Sequence, residues 1–72
     1  MMELDARLLD AHARADTTAL VTLYQEAAQG ATNDAARGFY LTHAHVFALE
    51  LGHPDAHDLR SKLVAMGRES PL

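Results

Sequence analysis

Apolar positions along this chain recur about every three to four residues, the period of a helix with one face turned toward a core. In the first stretch Leu4, Leu8, Ala11, His12 and Ala15 fall within one narrow arc, which predicts a helix over 3–15. Glu3 and Asp5 stand at the positive end of its dipole, and Glu3–Arg7 and Asp10–Arg14 have the i, i+4 spacing of solvent-side ion pairs. Asp16-Thr17-Thr18 interrupts the stripe and supplies N-cap side chains. Leu20, Leu23, Tyr24 and Ala27 then form a second stripe over 17–29, stopped by Gly30. So short a connection turns the two helices back on each other as an αα-hairpin.

The third stripe is the longest. Asn33 or Thr32 caps it, Asp34 occupies its first turn, and the pattern predicts a helix over 34–51. Centred on Phe47, its inner arc contains Ala36, Tyr40, Ala44 and Leu51, with His43 close by. Phe39 and Val46 widen the arc on one side, Leu41 and Ala48 on the other, leaving Gly38, Thr42, His45 and Leu49 opposite. An arc so wide predicts neighbours on more than one side, and Gly38 predicts a close helix–helix approach. Gly52-His53-Pro54 ends this helix, and proline at the first helical position opens a fourth over 54–66. Its stripe is Ala56, Leu59, Leu63 and Met66, closed by Gly67, with Asp55 and Asp58 early and Arg60, Lys62 and Arg68 late, as the dipole favours. The tail Arg68–Leu72 is expected to fray. No stretch alternates with period two, so no strand is predicted. The fold class read from the pattern is all-α, four helices in two antiparallel αα-hairpins forming a single helical domain over 1–72.

Composition narrows what such a domain is for. The chain has 72 residues and no cysteine. A domain of that size buries only about 60% of its unfolded surface, and neither a disulfide nor a thiolate-held metal can supplement the core. Homo-oligomerisation is the remaining common supplement, and a homodimer is carried as an expectation. Formal net charge is −4, with six acids against two arginines in residues 1–36 and four of each sign in 37–72. With no basic cluster there is no electrostatic footprint for phosphate backbones, so nucleic acid is not an expected partner. The opening MMELDARLLD places acids where a secretion signal carries lysine or arginine. No apolar run approaches the roughly 20 residues of a membrane span, and the expected setting is cytoplasmic.

A weak internal repeat is also visible. At an offset of 33, Leu8, Ala11 and His12 match Leu41, Ala44 and His45; at an offset of 37, Ala19, Ala28 and Gly30 match Ala56, Ala65 and Gly67. The four-residue change between offsets is about one helical turn, which makes the third helix a counterpart of the first, lengthened by a turn. Six identities in an alanine-rich chain also arise by chance, so duplication and coincidence both stand.

With this architecture the chain resembles the tetratricopeptide family of helix–turn–helix repeats, whose period is about 34 residues. Tyr24 and Ala27 keep two positions of that family's second-helix pattern, while Leu20 replaces its early alanine. Its Gly-Asp turn is Ala15-Asp16 in one hairpin and Gly52-His53 in the other. The first-helix signature of aromatic, leucine-glycine and tyrosine is not met by Leu4, Arg7-Leu8 and Ala11. The resemblance implies a protein-binding scaffold whose first helices line a concave groove. On that basis Leu9 and His12 on the first helix, with Phe39, His43 and Val46 on the third, are the candidates to face a partner. The alternative is that all five pack in a four-helix core.

Histidine is the only residue type that invites chemistry. His43 and His45 are two apart and leave a helix on different faces, so they do not share a metal. His53 and His57, beside Asp55 and Asp58, have the residue types of a mixed nitrogen–oxygen metal site, set against a plain role as capping residues. Glu50–His53 has the Glu-x-x-His spacing of di-iron bundles, but Gly52 interrupts the helix between its members, and a single copy requires a symmetric oligomer to complete a site. His12 and His43 lie on apolar arcs, where a histidine is usually held by a tyrosine or a carbonyl; a pair titrating near neutrality is the alternative. There is no serine elbow and no glycine-rich phosphate loop. The functional expectation is a small non-catalytic adaptor that binds a protein or peptide segment or its own copy, without a cofactor. The competing class is a metal-binding or catalytic bundle assembled across a subunit interface.

Overall fold

The computed structural model describes residues 3–67 and contains four helices among them: α1 (Leu4–Ala13), α2 (Thr17–Gln29), α3 (Asp34–Leu51) and α4 (Asp55–Ala65). No described residue is in a strand, and the fold is all-α. The expectation for Arg68–Leu72 lies outside the described residues. No helix in the described range is long and apolar enough to cross a membrane.

The helices begin where short polar side chains cap them. Asp16 accepts the Ala19 N–H at 3.1 Å, and Asn33 accepts the Ala36 N–H at 2.8 Å. Each bond satisfies one donor that a helix start leaves without an internal partner. Glu3 occupies the cap position of α1 with an extended ψ of 159° and no side-chain cap bond. It does not pair with Arg7. That arginine reaches across to Glu26 of α2 at 3.1 Å, while Arg14 and Asp10 form the expected pair at 2.9 Å.

α1 stops at Ala13, two residues short of the expected end, because the chain leaves the helix through Ala15 at φ 52°. The Asp16 N–H then bonds the Ala11 carbonyl at 2.9 Å. The turn between α3 and α4 repeats this device: Gly52 takes φ 63°, and the His53 N–H bonds the Ala48 carbonyl at 2.8 Å. Both are left-handed helix ends with a six-to-one bond. Ala15 thus stands where Gly52 stands in the second hairpin, and Ala11 and Ala48, both 0% exposed, supply the accepting carbonyls of the two turns. Gly30, expected to stop α2 as glycine usually does, has a right-handed φ of −89° and uses none of its conformational freedom there. Pro54 precedes α4 in the cap position with helical dihedrals, one residue earlier than the first-turn place expected for it.

Each helix packs against its chain neighbour: α1 on α2, α2 on α3, α3 on α4. The core contains Ala11, Leu20, Val21, Leu23, Tyr24, Ala28, Leu41, Ala44, Ala48, Leu59 and Leu63. On α3 the buried face is Gly38, Leu41, Ala44, His45 and Ala48. This corrects the arc centred on Phe47 by roughly a third of a turn at about 100° per residue. Gly38 and His45, expected opposite the core, are buried; Phe47 and Tyr40 are only half-buried. Close-packed helices have room for glycine and alanine on the shared face, and bulky rings are displaced to its edge. The displaced rings form the site described next.

Candidate functional site

Tyr24 of α2 is the centre of a ring cluster. It is 9% exposed, and four rings surround it. His43 stacks on it at 5.2 Å between centroids, Phe47 stacks at 5.9 Å, His12 meets it edge-on at 5.9 Å, and Tyr40 lies at 6.3 Å. Such offset and edge-to-face pairs add stabilisation beyond the burial of the rings themselves. α1 and α3 have no close backbone approach, and they meet through side chains above Tyr24, where His12 and Phe47 are 5.9 Å apart.

Polar atoms in the cluster are paired. The His12 Nε2 lies 2.9 Å from the Tyr24 hydroxyl. The His43 Nδ1 lies 2.9 Å from the Phe39 carbonyl oxygen; a carbonyl only accepts, so Nδ1 carries the proton. Both histidines are therefore held as their apolar arcs implied, one by a tyrosine and one by a carbonyl. Burial pushes the Tyr24 hydroxyl pKa above its ordinary 10.0, and the neighbouring Tyr40 adds to the rise.

Beside this cluster, Asp5, Leu8, Leu9, His12 and Tyr24 line an open groove of about 440 Å³. Its floor is Tyr24. Leu9, in that lining, is 71% exposed; outside the lining, on α3, Phe39 is 56% exposed and rests against His43 at 4.3 Å. Of the five residues expected to face a partner, Leu9 and His12 are thus brought together on α1, and Phe39 and His43 on α3, with Tyr24 between the pairs. Val46 is exposed on α3 but has no ring or groove contact tying it to the other four. The alternative of a common core position fails for Leu9, Phe39 and Val46, all of which face solvent.

Sequence reasoning missed the parts that join these residues. Tyr24 entered only as one member of a stripe, and Phe47 as the centre of a buried arc. A usable signal was present: Phe39, His43 and Phe47 are each four apart, a single ridge of rings along one helix.

The metal candidates are arranged for another purpose. The Nδ1 of His53 accepts the Asp55 N–H at 3.0 Å, and Asp55 in turn accepts from Gln25 at 3.2 Å. His53 stands just before the Pro54 cap position and its ring takes up a first-turn N–H of α4; that backbone donor fixes the ring proton on Nε2 when the ring is neutral. His57 is exposed. Glu50 lies in the last turn of α3, and Gly52 turns the chain away before His53. Among the described residues no three His, Asp or Glu side chains are grouped to hold a metal ion. Comparison with family models, with curated proteins and with solved structures returns no match.

Proposed function

We propose that this chain is a small non-catalytic interaction module, similar in design to a tetratricopeptide hairpin pair, that binds an apolar segment of another protein along the groove above Tyr24. The observation that carries this reading is the contrast between floor and rim. Tyr24, the buried aromatic floor, is hydrogen-bonded to His12, while Leu9 in the groove lining and Phe39 on the neighbouring ring ridge of α3 remain in contact with water. Exposed apolar groups beside a preorganised concave surface are the usual marks of a protein-binding site. No cofactor enters this proposal, and the cytoplasmic setting expected from the sequence belongs to it.

Selection of a random peptide library on the immobilised chain, followed by NMR shift mapping, tests the proposal. Bound peptides should perturb Leu9, His12, Phe39 and His43, and Leu9→Asp with Phe39→Asp should abolish binding. Binders that map only to the face formed by α2 and α4 would overturn it.

Self-association is a second reading, favoured by one observation: of the five large exposed apolar residues among those described, four, Phe39, Val46, Leu49 and Leu51, are on α3. A dimer in light scattering that Val46→Asp or Leu49→Asp dissociates would support it, and a concentration-independent monomer would exclude it.

A further inference from the structure

α3 is apolar on two sides. One face is buried within the domain, and a second stripe meets solvent: Ala35, Phe39, Thr42, Val46 and Leu49, every one of them exposed. Their spacing is four, three, four, three, the alternation by which one helix seats its side chains between those of another. At about 100° per residue the stripe lies roughly opposite the fully buried Ala44. Its one polar member is already satisfied: the Thr42 hydroxyl donates to the Gly38 carbonyl at 2.8 Å. On the flank, the His43 Nδ1 donates to the Phe39 carbonyl at 2.9 Å. Covering the stripe with another helix therefore leaves neither of these donors without an acceptor.

Charge selects the kind of helix and its direction. No member of the stripe is charged in a chain of formal net charge −4, so two copies meet along it without like charges in contact. Glu50 borders the stripe in the last turn of α3, where no basic residue offsets the negative helix end. Parallel pairing of two copies would set their Glu50 carboxylates side by side. Antiparallel pairing about a dyad level with Ala44 holds them about 18 Å apart along the axis, beyond a screening length of about 8 Å. Each Glu50 then lies near the positive start of the other copy's α3. The same dyad sets Phe39 against Leu49 of the second copy and Thr42 against its Val46, the reciprocal contacts of an isologous interface.

We infer that a second copy of this chain covers the stripe, its α3 packed antiparallel against the first. This goes beyond the groove reading and gives self-association its surface. Thr42, Val46 and Leu49 lie outside the groove lining, so the two claims stand or fall separately. A seam of two heptads suffices here because α3 is already held in the domain, free of the nucleation cost of an isolated helix. Three large apolar side chains per copy make an interface at the small end of the specific class, so the dimer should dissociate at about 1–100 μM.

Sedimentation equilibrium across that range tests the inference, and the chain should pass from monomer to dimer. Thr42→Asp should weaken association at least about 10-fold by setting charge in the seam, and Thr42→Leu should tighten it about 10-fold by filling it. Thr42 is exposed in the single chain, so circular dichroism should show both variants folded. The chain has no cysteine, so single-cysteine variants and a short bismaleimide read the direction of pairing. Phe39→Cys mixed with Leu49→Cys should cross-link. Leu49→Cys alone should not, since antiparallel copies hold position 49 about 15 Å apart along the axis. Leu9→Asp, which alters the groove, should leave the dimer unchanged. A monomer throughout the range for both the unsubstituted chain and Thr42→Leu would overturn the inference, as would a dimer that Thr42→Asp leaves intact. Cross-linking of Leu49→Cys alone, without the mixed product, would overturn the antiparallel arrangement.

Discussion

The His12 Nε2 and the Tyr24 hydroxyl lie 2.9 Å apart, a polar contact that joins α1 to the ring cluster. Through it a half-turn of α1 is tied to the most ring-rich point of the fold. Tyr24→Phe removes this bond and keeps the stacking on His43 and Phe47. His12 is exposed enough to find water instead, so the loss should be about 0.5–1 kcal/mol. Tyr24→Ala also removes the ring and should cost about 3–5 kcal/mol. Urea unfolding of the two variants checks the ratio, and equal losses would contradict the role assigned to the ring.

Alkaline pH should weaken the fold through the same residue. The Tyr24 pKa is raised above 10.0, chiefly by burial and then by Tyr40. Above that ordinary value the unfolded chain holds fewer protons at this group than the folded chain, so stability falls as pH rises. The contribution is complete below pH 10.0 and is lost as pH passes the folded value. Absorbance titration near the tyrosinate band should show one late phase, and Tyr24→Phe should delete both that phase and the matching loss of stability.

The two hairpin turns give a reciprocal pair of predictions. Ala15 holds φ 52° with a side chain that disfavours it, whereas Gly52 holds φ 63° without one. Ala15→Gly should stabilise by up to about 1 kcal/mol, the relief of strain less the added freedom of the unfolded chain. Gly52→Ala meets no atom within 4 Å, so its cost of about 1 kcal/mol is conformational. Thermal midpoints should therefore move in opposite directions.

His53 should appear in nitrogen NMR spectra at neutral pH as the Nε2–H tautomer, because its Nδ1 accepts the Asp55 N–H at 3.0 Å. His53→Ala should cost about 0.5–1 kcal/mol, the usual range for a lost helix cap. An Nδ1–H tautomer would contradict the cap.

Surface and core leucines should respond differently. Leu9→Ser changes a residue that is 71% exposed and should alter stability by less than about 0.5 kcal/mol. Leu59→Ala changes one that is 0% exposed and should cost about 2–5 kcal/mol. Circular dichroism with denaturant distinguishes them, and the first variant doubles as a folded control for binding.

Local information decided the elements. Stripes of apolar residues, caps such as Asp16 and Asn33, and stops such as Gly52 and Gly67 act within a turn or two of where they stand, so the helices of an all-α fold were legible in the sequence. Which face of α3 is buried was not. Side-chain bulk pointed to Phe47, but the approach of α2 and α4 selected the face of Gly38, Leu41, Ala44, His45 and Ala48, on which Gly38, Ala44 and Ala48 permit close packing. That choice exposed Phe39 and left His43 and Phe47 over Tyr24, a residue well upstream on another helix. Helical period determines what shares a face; only tertiary packing determines which face meets water, and here that decision made the ring cluster around Tyr24.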